Sequence, residues 1–175
     1  MHRTAPPVPA DPTEARQAAY AVALRLLAGR EMSVARLGER LDARGFPGDV
    51  IGDTVARLTR IGALDDRRAA RAAARTLVSV RLRGRYRAGR ELERLGFARD
   101  DVDAALEAAL ADVDEAAVIA RVVRTKLHGR TSIPDAPEYR RLFAALLRRG
   151  FPGDLIRAAL RPYSRRHGHE PDAGD

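Results

Sequence analysis

Apolar positions along this chain recur at the three-to-four-residue spacing of helices packed on one side, and one arrangement of them returns three times. Leu41-Asp-Ala-Arg-Gly-Phe-Pro-Gly-Asp-Val-Ile51 is matched by Leu92-Glu-Arg-Leu-Gly-Phe-Ala-Arg-Asp-Asp-Val102 and by Leu146-Leu-Arg-Arg-Gly-Phe-Pro-Gly-Asp-Leu-Ile156. The glycines at 45, 96 and 150 lie 51 and 54 residues apart, and each is followed by Phe46, Phe97 or Phe151. Leu41, Leu92 and Leu146 stand four residues before them, and Leu37, Ala88 and Leu142 eight before. No Val/Ile-rich alternating run of strand length interrupts the pattern.

Each copy predicts a helix, a glycine stop and a second helix. Glycine after a helix end takes a left-handed conformation that costs other residues energy, and the Phe behind it can fold back onto the leucines of the helix just ended. Pro47 and Pro152 suit the first turn of the next helix, while Asp49, Asp100 and Asp154 fall near that helix's positive end. A longer helix precedes each pair. The first is expected from about Pro12 to Ala28, capped by Asp11; the second from Asp65-Asp66 toward Arg83, stopping at Gly84; the third from Asp114 through Ile119, Val122, Val123 and Leu127 to Gly129. The predicted fold is all-α, three tandem three-helix-bundle repeats in an elongated, curved array. Its divisions are a flexible arm at 1–11, repeats at 12–64, 65–112 and 113–166, and a disordered acidic tail at 167–175.

Composition sharpens this. Hydrophobic residues make up 45% of the chain, enough for a packed interior, but they are chiefly Ala, Leu and Val, which suit thin helical units. The absence of cysteine rules out disulfides, thiol nucleophiles and thiolate-held metals. The longest run without a charge, Gln17 to Leu24, is eight residues, too short for a membrane span, and the N-terminus lacks a secretory apolar stretch, so a soluble cytoplasmic protein is expected.

Thirty-two basic against 24 acidic side chains give a net charge of +8. Arginine's dominance over the single lysine, Lys126, fits a GC-rich genome, but genome bias does not set the excess of base over acid. That excess predicts nucleic acid or an acidic protein surface as a partner. It is uneven: +3 over 16–64, +2 over 65–112 and +7 over 113–166. Arg81, Arg83, Arg85, Arg87, Arg90 and Arg94 crowd the start of the second repeat's middle helix, where Arg87, Arg90 and Arg94 share a face. In the third repeat Arg157, Arg161 and Arg165 follow i, i+4, i+8 spacing, joined by Arg140, Arg141, Arg148 and Arg149. These are the candidate contacts to a partner or to DNA phosphates.

No catalytic constellation is present: neither a Gly-rich loop ending in Lys-Ser/Thr nor a Gly-x-Ser-x-Gly elbow occurs. Asp65-Asp66 and Asp100-Asp101-x-Asp103 read as helix starts, and His167-Gly-His169 lies in the acidic tail. No enzyme, cofactor or metal is expected.

These residues resemble a known family, the RecX regulatory proteins. The resemblance is carried by Ala23-Leu-Arg-Leu-Leu-Ala-Gly-Arg30, by Ser33-x-x-x-Leu37-x-x-x-Leu41-x-x-x-Gly45-Phe46 and by Leu58-x-x-x-Gly62-x-Leu64-Asp65-Asp66. Ala69-Ala70, Gly84-x-x-Arg87-x-x-x-Glu91-Leu92-x-x-x-Gly96 and Arg148-Arg149-Gly150-Phe151-x-x-x-Leu155-Ile156 extend it over about residues 15–162. Two positions depart from the family's pattern: Ala88, where a larger aliphatic is usual, and Leu95, where Lys is common. The resemblance implies a non-catalytic modulator of the RecA recombinase. Such a protein binds the RecA–DNA filament, suppresses its ATPase and strand exchange, and so acts in DNA repair, recombination and the SOS response, with a monomer expected.

Two other classes fit three-helix units with glycine turns. One is a helix-turn-helix transcriptional regulator, although the helices after the turns lack an Arg/Asn/Gln/Ser reading set and residues 98–112 are acidic. The other is a helical adaptor without DNA contact.

Overall fold

The computed structural model describes residues 8–164; Arg165 and the expectations for the first seven residues and the tail lie outside them. Among the described residues the fold is all-α. Its helices are α1 (Pro12–Gly29), α2 (Val34–Asp42), α3 (Gly48–Arg60), α4 (Asp66–Arg75), α5 (Arg85–Arg94), α6 (Arg99–Leu110), α7 (Glu115–Leu127), α8 (Ala136–Arg148) and α9 (Gly153–Leu160). They form three three-helix repeats, α1–α3, α4–α6 and α7–α9. Within the first, α1 packs on α3 and α2; within the third, α7 packs on α9 and α8.

The three glycine stops share one geometry. Gly45, Gly96 and Gly150 have φ of 83°, 85° and 88°. Each glycine amide donates three residues back, to Asp42, Glu93 or Leu147, at 2.7–2.9 Å. The following Phe amide donates to Leu41, Leu92 or Leu146 at 3.4 Å, which closes the last helical turn. The phenyl rings and those leucines are buried. Asp49, Asp100 and Asp154 fall in the first turns of α3, α6 and α9, as their spacing predicted.

Other features differ from expectation. The helix opening at Asp65-Asp66 leaves α-geometry after Arg75 and continues as a π-helical turn over Thr76–Val80, which buries Leu77 and Val78. It does not reach Gly84. The left-handed residue in the turn that follows is Leu82, at φ 50°, half-buried against the core of α7–α9. Pro47 and Pro152 stand at the N-caps of α3 and α9, one position before the first helical residue.

The chain forms two compact units, Met1–Thr76 with Gly89–Ala109, and Leu77–Ala88 with Leu110–Asp175. Each contains one seat in which a glycine turn meets the N-terminus of a helix from the preceding repeat. In the first, the Ser33 hydroxyl caps α2 by accepting from the Arg36 amide at 3.1 Å, and it donates its proton to the Leu95 carbonyl. In the second, the Gly84 and Tyr86 amides at the start of α5 donate to the Arg149 and Gly150 carbonyls at 2.9 and 3.2 Å. Ser33 and Gly84 occupy the same place, twelve residues before their own repeat's glycine. A hydroxyl does in one what a bare amide does in the other.

Candidate anion-binding interface

The third repeat builds an open groove between the start of α8 and the α9 face. Asp135 fixes the start of α8 by accepting from the Glu138 amide at 2.7 Å. The Ile133 amide donates to the Tyr163 carbonyl at 2.7 Å, so the segment before α8 is tied to the 3-10 turn Arg161–Tyr163 after α9. Arg130 then forks onto the Glu138 carboxylate, its Nη1 donating to Oε2 at 3.0 Å and its Nη2 to Oε1. This pairing holds the Glu138 carboxyl below its ordinary pKa and raises that of Arg130.

The resulting groove has a volume of about 680 Å³. Arg140 projects from α8, Arg157 from α9 and Arg161 from the turn beyond it, and all three line the groove and are exposed. Tyr139, Ala136, Ala158 and the buried Ile133 supply its apolar walls. The Tyr139 ring stacks on Phe143 with centroids 6.2 Å apart. Among the described residues no carboxylate pairs with Arg140, Arg157 or Arg161, and the one acid in the lining, Asp135, is engaged as the α8 cap. Guanidiniums gathered around a partly apolar hollow have the charge and the forked donors that suit an anion.

The remaining candidates are distributed differently. Arg141 and Arg148 are exposed on α8, and Arg81 and Arg85 are exposed around the start of α5. Arg87 is half-buried in the second seat, where its Nη1 donates to the Arg148 carbonyl at 3.2 Å. The Arg149 carbonyl is held there as well, by Gly84. Arg83 is half-buried, with its amide bonded to the Leu77 carbonyl at 3.0 Å. Arg90 and Arg94 are exposed and belong to the other compact unit from Arg87. Arg157 and Arg161, read from their spacing as one helical ridge, stand on either side of the end of α9 at Leu160, and Arg165 lies outside the described residues. Tyr139 and Ala158 were not singled out; their signal was their place beside Arg140 and Arg157, visible only once α8 and α9 are set side by side. Among the described residues no cluster of His, Asp or Glu could hold a metal ion, and no helix is long and apolar enough to cross a membrane.

Comparison with known proteins agrees with the repeat architecture. Residues 19–58 match the first three-helix domain of RecX and residues 114–160 the third. The regulatory protein RecX of Trichlorobacter lovleyi is 35% identical over 142 residues, spanning 79% of this chain and 90% of that protein. The chain belongs to the RecX family. RecX of Treponema pallidum is 37% identical over 142 residues, covering 81% and 83% of the two chains. RecX from Lactobacillus salivarius, a crystal structure, superposes with a TM-score of 0.73 at 15% identity, covering 83% of this chain and 94% of that one. A second crystal structure of regulatory protein RecX gives 0.70 at 18%, covering 83% and 73%. At those identities the superpositions speak to the fold. Ala88 is fully buried in the second repeat. At Leu95 the side chain is exposed, and the backbone carbonyl forms the contact to Ser33.

Proposed function

We propose that this RecX-family protein is a non-catalytic regulator that binds the RecA–DNA nucleoprotein filament. It inhibits the filament's ATPase and strand exchange and so modulates recombination and DNA repair, acting as a cytoplasmic monomer. Exposed arginines of the second repeat (Arg81, Arg85, Arg90, Arg94) hold DNA phosphates, and the third-repeat groove grips an anionic surface of the filament. Bridging two filament components restricts the movements that accompany ATP turnover. The observation that carries this reading is the convergence of Arg140, Arg157 and Arg161 on one groove whose lining holds a single acid, Asp135, among the described residues, in a chain whose relatives are regulatory proteins.

The test is the recombinase ATPase on single-stranded DNA with the protein titrated in. Sub-stoichiometric inhibition is expected, and Arg140→Gln/Arg157→Gln/Arg161→Gln together should raise the half-inhibiting concentration by tenfold or more. An ATPase unaffected at equimolar protein would overturn the reading. Sequence-selective shifts of duplex DNA, with no effect on the ATPase, would point to a transcriptional regulator.

A further inference from the structure

We infer that the α9 face of the third repeat seats an acidic amphipathic helix of a protein partner rather than a nucleic acid. The inference deepens the regulator reading and rests on it only for the partner's location, which would be the protein part of the filament.

The chemistry of the lining favours a protein helix. Ala158 belongs to two hollows at once. On one side lies the arginine-lined groove, and on the other a second hollow of about 380 Å³ walled by Ala117, Ala120, Leu155, Pro162 and Tyr163. Both hollows are in the same compact unit, so an apolar surface passes over α9 from the guanidiniums to the α7 alanines. A phosphodiester chain takes charge from such a surface and leaves its apolar part in water. An amphipathic helix uses both, since its apolar stripe covers Ala158 and the alanines while its acids meet Arg140, Arg157 and Arg161. Arg157 and Arg161 are four residues apart, about 6 Å along the chain axis, which matches carboxylates one turn apart on a helix. Base stacking is poorly served here, because Tyr139 already stacks on Phe143.

The repeats point to the same place. Ala35, Tyr86 and Arg140 are equivalent, each ten residues before its repeat's glycine. At the first two positions the fold already seats polypeptide, in the form of a helix end with its glycine turn. A Cβ on Gly96 would stand 3.0 Å from the Ala35 Cβ, and the Tyr86 amide bonds to the Gly150 carbonyl. At the third position the residue is arginine and it lines an open groove. The place where this architecture receives a helix end with its glycine turn is therefore basic in the third repeat. A second copy of this chain is a poor occupant, because its first glycine turn carries Arg40 and Arg44 and has Val8 over Gly45.

The test uses the full chain with three fluorescent probes. These are an acidic helical peptide of about five turns with leucines on one face and glutamates flanking them, a permuted peptide of the same composition, and oligothymidylate. The segregated peptide is expected to bind at least tenfold more tightly than the permuted one. Arg157→Gln/Arg161→Gln and, separately, the uncharged block Ala158→Gln should each weaken it about tenfold, with oligothymidylate affinity unchanged by Ala158→Gln. Equal binding of the two peptides, or peptide binding indifferent to Ala158→Gln, overturns the inference. So does a loss of oligothymidylate affinity in step with the peptide, which would mark a nucleic-acid groove. The recombinase ATPase separates the two readings. Inhibition without the peptide result sinks this inference alone, whereas the peptide result without inhibition sinks only the regulator reading.

Discussion

At Gly150 the absence of one carbon matters twice. Its φ of 88° is costly for any other residue, and a Cβ there would lie 2.3 Å from the Arg87 amide nitrogen. Gly62 has a comparable φ of 69° but open space around it. Gly62→Ala should therefore cost about 1–2 kcal/mol, the left-handed penalty alone, whereas Gly150→Ala should cost more than ~4 kcal/mol because backbone must move. Urea unfolding of the two variants checks this, and equal losses would show that the seat yields. Ser33 offers a milder probe. Its hydroxyl is buried and makes both a cap bond and the Leu95 bond, so Ser33→Ala should cost about 2 kcal/mol, while Ser33→Thr retains most of it. Of these residues, Gly150 was legible in the sequence because a Gly-Phe pair after a helix is local chemistry, whereas Gly62, followed by Ala63, carried no such signal. The close approach of Gly84 to Gly150 was not, because the two are far apart along the chain.

Two carboxylates in the first turns of helices carry a pH dependence of opposite sign. Asp66 opens α4 yet caps a different helix, accepting from the Val34 amide of α2 at 2.8 Å. Burial, and secondarily the charges of Asp101 and Asp65, outweigh that hydrogen bond and raise its pKa. The folded state therefore holds the proton more tightly than the unfolded chain. Asp66 weighs against folding above its raised folded pKa, and this is relieved as pH falls through that value toward the ordinary aspartate value. Glu138 behaves inversely. Its pKa is lowered by Arg130, so its contribution is complete above the ordinary glutamate value of about 4.3 and is lost as pH falls through the lower folded one. In thermal unfolding followed against pH, acidification should raise wild type relative to Asp66→Asn and lower it relative to Glu138→Gln. Parallel profiles for the two pairs would refute the assignments. At this scale the sequence located the helices well, since periodicity, N-capping Asp and glycine stops are short-range signals. The π-turn at Thr76–Val80 was hidden because it satisfies the burial of Leu77 and Val78, and Leu82 takes the left-handed corner because its side chain packs on the α7–α9 core. Only long-range packing decides such things.

For the whole molecule, the basic residues lie in separate places, and salt distinguishes the roles proposed for them. The third repeat holds most of the +8, which in the sequence read as a general affinity for polyanions. The structure places three of its arginines around a partly apolar groove, while Arg81, Arg85, Arg90 and Arg94 remain exposed elsewhere. If the latter hold DNA phosphates, each contact releases counterions, and the logarithm of oligonucleotide affinity falls with the logarithm of salt by about 0.7 per phosphate for single strands. Arg81→Gln/Arg85→Gln should then flatten that slope by about 1.4, whereas Arg157→Gln/Arg161→Gln should leave it nearly unchanged and yet weaken inhibition of the filament. The slope counts phosphates regardless of affinity, so it is insensitive to any small loss of stability in the variants. A slope that responded instead to the groove substitutions would move the DNA contact to the third repeat and leave the second repeat's arginines as a solvated surface.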